Sequence, residues 1–209
     1  ALTAVAFIQA GRNLDMPGLE AEAAELTRKL LETFRDGSSL AHSFYDGVML
    51  RQSFLSDAAA MLLAVSMLYE TDESWGETMD SMAEYVRSFR DGSGHWIESD
   101  ADDFQKIYAS WFDHPVPSAV SLAETALTRV ALLTGGEVTP AVHRRPYQSD
   151  FYNINVLLTE DLFHLYTTRD PLSWSSIPVN SLQRRGEPET VCYGRTCQVL
   201  RNNAAGSQQ

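Results

Sequence analysis

The sequence predicts an all-α fold: a partial (α/α) toroid of helical hairpins, followed by a small C-terminal α/β or irregular appendage. The first observation is a repeat, since the pentapeptide FRDGS at residues 34–38 recurs unchanged at residues 89–93, an offset of 89 − 34 = 55 residues. The second is that an amphipathic helix runs into each copy and a loop rich in aromatic and acidic residues follows it. Such a repeated unit is typical of architectures in which neighbouring units bury each other's apolar faces.

Periodic apolar residues predict five helices, at residues 1–13, 18–35, 57–70, 73–90 and 118–134. Ser56 and Ser118 are the expected N-caps of the third and fifth helices, and glycines end the second and fourth. The third helix is apolar on nearly all sides, which predicts a buried inner helix. The fourth carries one apolar stripe with acids opposite, which predicts an outer helix. These features favour a toroid over the alternative, an open helical solenoid.

The pattern changes after the fifth helix, where prolines interrupt any long helix. The predicted domains are therefore a helical-hairpin domain at 1–136, an irregular or small α/β appendage at 137–201 and a polar tail at 202–209. Within the appendage, short strands are predicted at 154–158, 190–193 and 198–200, the last two around a turn at Gly194.

Composition restricts the classes of function. The 209 residues carry a formal net charge of −12, which argues against nucleic acid as a partner because phosphates require a basic face. No apolar run spans a bilayer and no cleavable leader is evident, so we expect no membrane partner and a cytoplasmic location. No phosphate loop or complete set of metal ligands is present, so no cofactor and no metal are expected. The first helix begins at Ala1 without a polar lead-in, which predicts a piece of a longer chain or a cleaved chain.

Three short motifs occur in a recognisable order: FLSDA at residues 54–58, FDHPVPSAVS at 112–121 and CYGRTCQ at 192–198. They are similar to F-L-D-D-Y-A, Y-D-G-A-V-P-S-G-N-S and C-x-x-x-x-C-Q of the DUF255 family, also called the YyaL or spermatogenesis-associated-protein-20 family. The chain resembles the C-terminal half of those proteins. They join a thioredoxin-like domain to an (α/α)6 toroid related to N-acylglucosamine 2-epimerases and six-hairpin glycosidases, and the resemblance implies that toroid here.

The chain departs from the family pattern at positions that bear on function. Ser56 stands where the family has the first Asp of its D-D pair, and Ala119 and Val120 stand where it has Gly-Asn. The thioredoxin-like domain and the first toroid hairpins have no counterpart in the sequence. The expected partners are therefore a missing N-terminal region of the same protein or a second copy of the chain.

The resemblance implies a carbohydrate-active or carbohydrate-binding domain, with sugar epimerase, isomerase or glycosidase-like activity if the chain is an enzyme. Its expected ligand is a sugar or another small molecule. The departures favour a second hypothesis, a non-catalytic scaffold that completes a toroid with another chain or copy. A third hypothesis is redox chemistry shared with a thioredoxin-like partner. Because a fold hosts many functions, the choice depends on the site residues.

Carboxylates and histidines gather in the two loops that join outer to inner helices. The candidate catalytic residues are Asp46, Asp57, Asp113, His95 and His114, with His42 in the first of these loops. Carboxylates act as general acid and base in sugar chemistry, and histidine transfers protons near neutral pH. Local structural explanations stay open. The negative charge of Asp57 in the first turn of a helix interacts favourably with the helix dipole, and Asp46 precedes a glycine in a predicted turn. The loop histidines could simply hydrogen-bond to solvent or backbone.

The same loops are rich in aromatic side chains, whose faces stack on sugars. The candidate substrate-binding residues are Tyr45, Trp96, Trp111 and Phe112. The alternative is that these rings cover the ends of the inner helices as part of the core.

Cys192 and Cys197 flank the predicted turn at Gly194, with four residues between them. A disulfide between the hairpin strands is geometrically possible. A redox pair normally has two intervening residues at a helix N-terminus. Free thiols, a structural disulfide and a redox role all stay open, whereas a zinc site requires more ligands than two cysteines supply.

Overall fold

A computed structural model describes residues 1–37, 39–100, 105–138, 158, 162–194 and 196–200. Its helices are α1 Leu2–Asn13, α2 Pro17–Phe34, α3 Leu55–Tyr69, α4 Gly76–Ser88 and α5 Ala119–Thr134. A 3-10 turn at Glu73–Trp75 leads into α4. All five lie close to the bounds that periodicity predicts, because each has an apolar face that repeats at helical spacing.

The strands form two short hairpins and one larger sheet. In the first loop, β1 (Arg35–Asp36) pairs with β2 (Ser39–Leu40), and β3 (Ser43–Tyr45) pairs with β4 (Val48–Leu50). The C-terminal part holds four strands: β5 His164–Thr168, β6 Ser181–Arg185, β7 Thr190–Tyr193 and β8 Thr196–Val199. Their order in the sheet is β6-β5-β7-β8, with β5 and β6 parallel and the other pairs antiparallel.

The all-α prediction is therefore wrong: the chain is mixed α/β, with a four-stranded mixed sheet beside its helices. The parallel pair β5–β6 is the part that the sequence did not reveal. The sequence of β6, SLQRR, has no alternation of apolar and polar residues. It is held instead by the buried Gln183, whose side chain exchanges hydrogen bonds with the backbone of Leu172 at 2.6 and 3.1 Å.

Other predictions for the C-terminal part have mixed outcomes. The hairpin around Gly194 is present as β7 and β8. Most of the strand predicted at 154–158 lies outside the described residues, and the one described position, Leu158, is helical. The tail at 202–209 also lies outside them. The division at residue 136 stays a prediction, although Leu132 of α5 shares an apolar cluster with Phe163 and Leu182 of the sheet region.

The helices form two layers. In the inner layer α3 packs against both α1 and α5, while in the outer layer α2 packs on α1 and α4 packs on α3. Twelve of the fifteen residues of α3 are buried. The helix carries its own Ala, Leu, Met and Val side chains on nearly all sides, so every side of it packs against other parts of the chain. By contrast α4 buries only one stripe, Met79, Met82, Ala83 and Val86. No helix in the described ranges is long and apolar enough to cross a membrane.

Both copies of the repeated pentapeptide turn the chain back at the end of an outer helix. In the first copy the Ala41 N–H donates to the Phe34 carbonyl at 2.8 Å, and in the second the Ile97 N–H donates to the Phe89 carbonyl at 2.8 Å. Gly37 makes the first turn with a φ of 61°, a conformation that favours glycine. The repeat therefore sets where each loop begins.

The two predicted N-caps differ in outcome. Ser118 caps α5, since its hydroxyl accepts the Ser121 N–H at 3.1 Å. Ser56 is not a cap, because α3 begins at Leu55, two residues before the predicted start, and its N-cap position is Phe54, without a side-chain hydrogen bond. The helix starts early because the Leu55 N–H is held by the Glu98 carbonyl of the second loop at 2.9 Å.

A buried carboxylate joins the inner helices to the sheet. Glu70, at the end of α3, has a side chain that is 0% exposed and accepts hydrogen bonds from Arg12 of α1 at 3.0 Å and from Arg129 of α5. Its second oxygen accepts the backbone N–H of Gln183 in β6 at 3.0 Å. Burial lowers the pKa of Arg129, while the charge of Glu70 opposes that shift. A buried charge is tolerated only with such partners.

We expect Glu70→Gln to lower the free energy of unfolding by about 3–5 kcal/mol, because it leaves buried guanidinium groups without their counter-charge. Urea denaturation followed by circular dichroism measures this change. Glu84→Gln, the same substitution at an exposed position of α4, should change stability by less than about 0.5 kcal/mol. Equal effects of the two substitutions would contradict a central role for Glu70.

Candidate functional site

The two loops meet over a cavity at the N-terminal ends of α3 and α5, which we call the loop-end cavity. Its volume is about 490 Å³, and residues 40–42 of the first loop and 116–117 of the second lie in its wall. Most of the wall is apolar, including Leu30, Phe34 and Met61. The polar side chains in the wall are Thr3, His42, Ser56 and Asp57.

His42 and Asp57 form a hydrogen-bonded pair in this wall. The Nδ1 atom of His42 lies 2.7 Å from the Oδ2 atom of Asp57. The His42 ring packs on Phe54 with 4.6 Å between ring centroids, and its backbone N–H donates to the Leu50 carbonyl at 2.9 Å. Both side chains are partly exposed. A histidine oriented by a carboxylate is an arrangement that can accept and return a proton.

Glu98 is a third ionisable group, outside the cavity wall but influenced by the charge of Asp57, and sequence reasoning missed it. A backbone bond from Leu55 to the Glu98 carbonyl and a β-bridge between Phe54 and Ser99 place it beside the start of α3. Partial burial raises the pKa of Glu98, and the charge of Asp57 raises it further. The burial that raises the pKa of Glu98 comes from tertiary packing and cannot be seen in the sequence. The only sequence signal for Glu98 was therefore its position in the second loop.

The carboxyl groups of Asp57 and Glu98 lie in different environments, an arrangement in which one group can act as an acid and the other as a base. Asp57 has a histidine partner at hydrogen-bond distance, while ionisation of Glu98 is disfavoured by burial and by the charge of Asp57. The arrangement can therefore support proton transfer as well as polar binding.

Asp46 and Asp113, the other predicted carboxylates, have local structural roles. Asp46 occupies the turn between β3 and β4 with a φ of 49°, followed by Gly47 at 79°, as a two-residue hairpin turn requires. One oxygen of Asp113 accepts the Ser118 N–H at 2.8 Å and the Ser121 hydroxyl at 2.9 Å, so it braces the start of α5. Neither lies in the wall of the loop-end cavity, and their catalytic roles stay predictions.

His95 and His114 lie in the second loop, away from the wall of the loop-end cavity. The Nδ1 atom of His95 is 3.8 Å from Asp91, and its ring packs against Tyr108. The exposed ring of His114 contacts Phe112, with 5.3 Å between centroids. The histidine that pairs with a predicted carboxylate in the cavity is instead His42.

The predicted aromatic residues divide into buried and exposed rings. Trp96 is 7% exposed, and its Nε1–H donates to Glu124 at 2.7 Å while Arg90 covers its ring. Trp111 is partly buried against the main core. Tyr45 and Phe112 are 83% and 46% exposed. Tyr45 and Phe112 are therefore the two of the four with exposed faces for stacking.

Cys192 and Cys197 form a disulfide between cross-strand partners of β7 and β8. They lie in the C-terminal sheet, whereas the loop-end cavity is built from the helical part. A redox role with a thioredoxin-like partner stays a prediction. Within the described ranges, no group of three or more His, Cys, Asp or Glu side chains is placed to hold a metal ion.

No protein-family model matches the chain, and a search of curated proteins finds no match. The resemblance to the DUF255 family, which rests on three short motifs, therefore stays a prediction. Of those motifs, FLSDA contributes Asp57 to the loop-end cavity and FDHPVPSAVS contributes Val116 and Pro117.

We expect Glu98→Gln to stabilise the protein at about pH 7 and to have no effect below about pH 4. Because folding raises the pKa of Glu98, the folded state binds its proton more tightly than the unfolded state does. Stability from this group is therefore full at low pH and is lost as the pH rises through the folded pKa. The uncharged Gln avoids that loss.

Thermal melting curves at the two pH values measure this effect, with Glu84→Gln on the exposed face of α4 as the control. A gain from Glu98→Gln that is equal at both pH values would show that the effect does not come from ionisation. A loss at neutral pH would contradict the placement of Glu98 in a desolvated environment.

Proposed function

We propose that the loop-end cavity binds a small polyhydroxylated molecule of the carbohydrate class, with the His42–Asp57 pair as its polar anchor. The observation that carries this proposal is the 2.7 Å contact between the two side chains in the wall of a cavity of about 490 Å³. Cavities of this size accommodate small ligands, and a few placed polar groups in an apolar wall set their orientation.

In its catalytic form, the site moves a proton on the bound sugar. His42 takes a proton from a carbon beside a carbonyl or from a hydroxyl, and Asp57 holds the ring in one orientation. Glu98, which lies beside the start of α3 and outside the cavity wall, is the candidate for the acid that returns a proton, because burial and a neighbouring charge raise its pKa. These roles fit an epimerase or isomerase, and two carboxyl groups also fit glycosidase-like chemistry.

Exposed aromatic rings in the two loops are the candidates for the other requirement of sugar binding, although neither ring lies in the cavity wall. Tyr45 lies at the tip of the β3–β4 hairpin and Phe112 lies in the second loop, which also provides part of the cavity wall. Both rings are exposed. Apolar faces of sugar rings pack on such aromatic faces.

We expect at least one sugar in a panel of aldoses, ketoses and N-acetylated amino sugars to raise the melting temperature of the protein. Asp57→Asn keeps a side chain of the same size but removes the charge that orients His42, so it should weaken binding of that sugar about tenfold. Thermal shift followed by calorimetric titration measures both effects.

Asp80→Asn, the same substitution at an exposed position of α4, is the matched control and should leave sugar affinity unchanged. If no sugar raises the melting temperature, or if Asp57→Asn binds as tightly as the parent protein, the carbohydrate proposal fails. If a sugar binds but is recovered unchanged after long incubation, the chain binds carbohydrate without turning it over.

The second candidate function is a non-catalytic interaction module that associates with a second copy of the chain. The observation that favours it is the β3–β4 hairpin, which exposes several apolar side chains: Phe44, Tyr45, Val48 and Leu50. Exposed apolar patches on soluble proteins often mark interaction sites.

We expect Val48→Lys to reduce self-association if this hairpin is the contact, because a charge at the centre of an apolar interface is desolvated without a partner. Light scattering over a range of protein concentrations gives the molecular mass. Val199→Lys, at an exposed position of β8, is the control. A parent chain that stays monomeric at all concentrations would exclude the self-associating module.

A further inference from the structure

A second cavity, which we call the sheet-side cavity, lies at the other end of the inner helices. Its volume is about 600 Å³. The loop-end cavity is lined by residues 1–3, 56–61 and 122 of α1, α3 and α5, whereas this one is lined by residues 5–13, 63–67 and 125–129 of the same helices. The rest of its wall comes from Asp15, Leu158, residues 162–163 and most of the segment 174–182, which leads into β6. The two cavities therefore occupy opposite ends of one helical layer.

Unpartnered polar atoms are concentrated in the residues of this wall. Five buried side-chain polar atoms in the described residues have no hydrogen-bond partner, and four of them belong to residues that line the sheet-side cavity: Arg12 Nε, Thr125 Oγ1, Trp174 Nε1 and Ser181 Oγ. Buried polar groups are nearly always paired, and one without a partner costs stability. Because the first and third of these atoms are donors and the hydroxyls can donate, the missing partner is an acceptor.

The charges beside the cavity are already balanced. Arg12 forms ion pairs with both Glu70 and Glu20, at 3.0 and 3.1 Å, and Arg129 forms an ion pair with Glu70. Asp15 also lies in the wall. A further negative charge would lie beside these carboxylates, so the site suits an acceptor that carries no net charge.

Most of the remaining wall is apolar, although Gln9, Asn13, Ser175 and Asn180 also line it, and the cavity has an open rim. Leu63, Met67, Phe163 and Leu182 in this wall are all buried apolar residues. Val179 on the rim is 85% exposed, and the Trp174 ring stacks on the Arg12 guanidinium at 3.9 Å. Apolar walls with a few placed polar groups are typical of small-molecule sites of this volume.

We infer that the sheet-side cavity binds an uncharged, mainly apolar molecule with a carbonyl oxygen, the class of a ketone, ester or lactone. The carbonyl supplies the acceptor for the unpartnered donors, and the apolar body fills the space beside Leu63 and Phe163. This site is separate from the loop-end cavity and does not depend on the proposed carbohydrate function.

The test uses the full chain and three probes of equal length: 2-nonanone, 2-nonanol and nonanoate. Calorimetric titration should give one binding site for 2-nonanone. The ketone should bind at least about fivefold more tightly than nonanoate, because the ketone adds an acceptor without adding charge.

Two variants connect binding to the unpartnered atoms. Thr125→Val keeps the side-chain shape but removes a buried hydroxyl without a partner, so it should raise the melting temperature of the free protein by about 2–4 °C and weaken ketone binding about fivefold. Trp174→Phe keeps an aromatic ring but removes the N–H and should weaken binding to a similar degree. If the Thr125 hydroxyl instead stabilised the folded protein, Thr125→Val would lower the melting temperature of the free protein.

Thr78→Val, the same change on the outer helix α4, is the matched control and should leave ketone affinity unchanged. The inference is overturned if 2-nonanone does not bind at its solubility limit, or if Thr125→Val and Trp174→Phe bind it as tightly as the parent. Tighter binding of nonanoate than of 2-nonanone would overturn the assignment of an uncharged ligand.

Discussion

The carboxylate of Glu70 is the constraint on which the arrangement of the chain depends. It takes hydrogen bonds from α1, α5 and β6 while it is itself at the end of α3. A charge that is fully removed from water requires each of these partners to stay in place. The Glu70 carboxylate therefore fixes the positions of the three inner helices relative to each other and to the sheet. It also holds Arg12 and Arg129 where they line the sheet-side cavity.

The same inner helices define both cavities because they contribute different halves of their length to each. Residues near their N-termini meet the two loops, and residues near their C-termini meet the segment before β6. The outer helices α2 and α4 pack on α1 and α3, and α2 also contributes Leu30 and Phe34 to the loop-end cavity. A change in the spacing of the inner helices would alter both cavities together, which makes the apolar packing around α3 a requirement for either function.

The sequence was sufficient for the helices and insufficient for the sheet. Helix periodicity is local, so the five helices were predicted from the spacing of apolar residues, and the cap at Ser118 followed from its own hydroxyl. The strand β6 could not be predicted, because Gln183 is buried by partners distant in sequence. At the candidate site, Asp57 was found from its motif and its place in the chain. Its pairing with His42 and the burial of Glu98 depend on how the two loops fold over each other.

The composition of α3 has a consequence for the synthesis of the chain. From Ala58 to Leu68 the helix carries no charged residue, and its contact with α5 is made by a segment that begins 119 − 69 = 50 residues after α3 ends. As the polypeptide leaves the ribosome, the uncharged stretch emerges well before the helix that shields it. During that interval its apolar surface is open to aggregation, and the length of the exposure depends on how quickly translation delivers the rest of the chain.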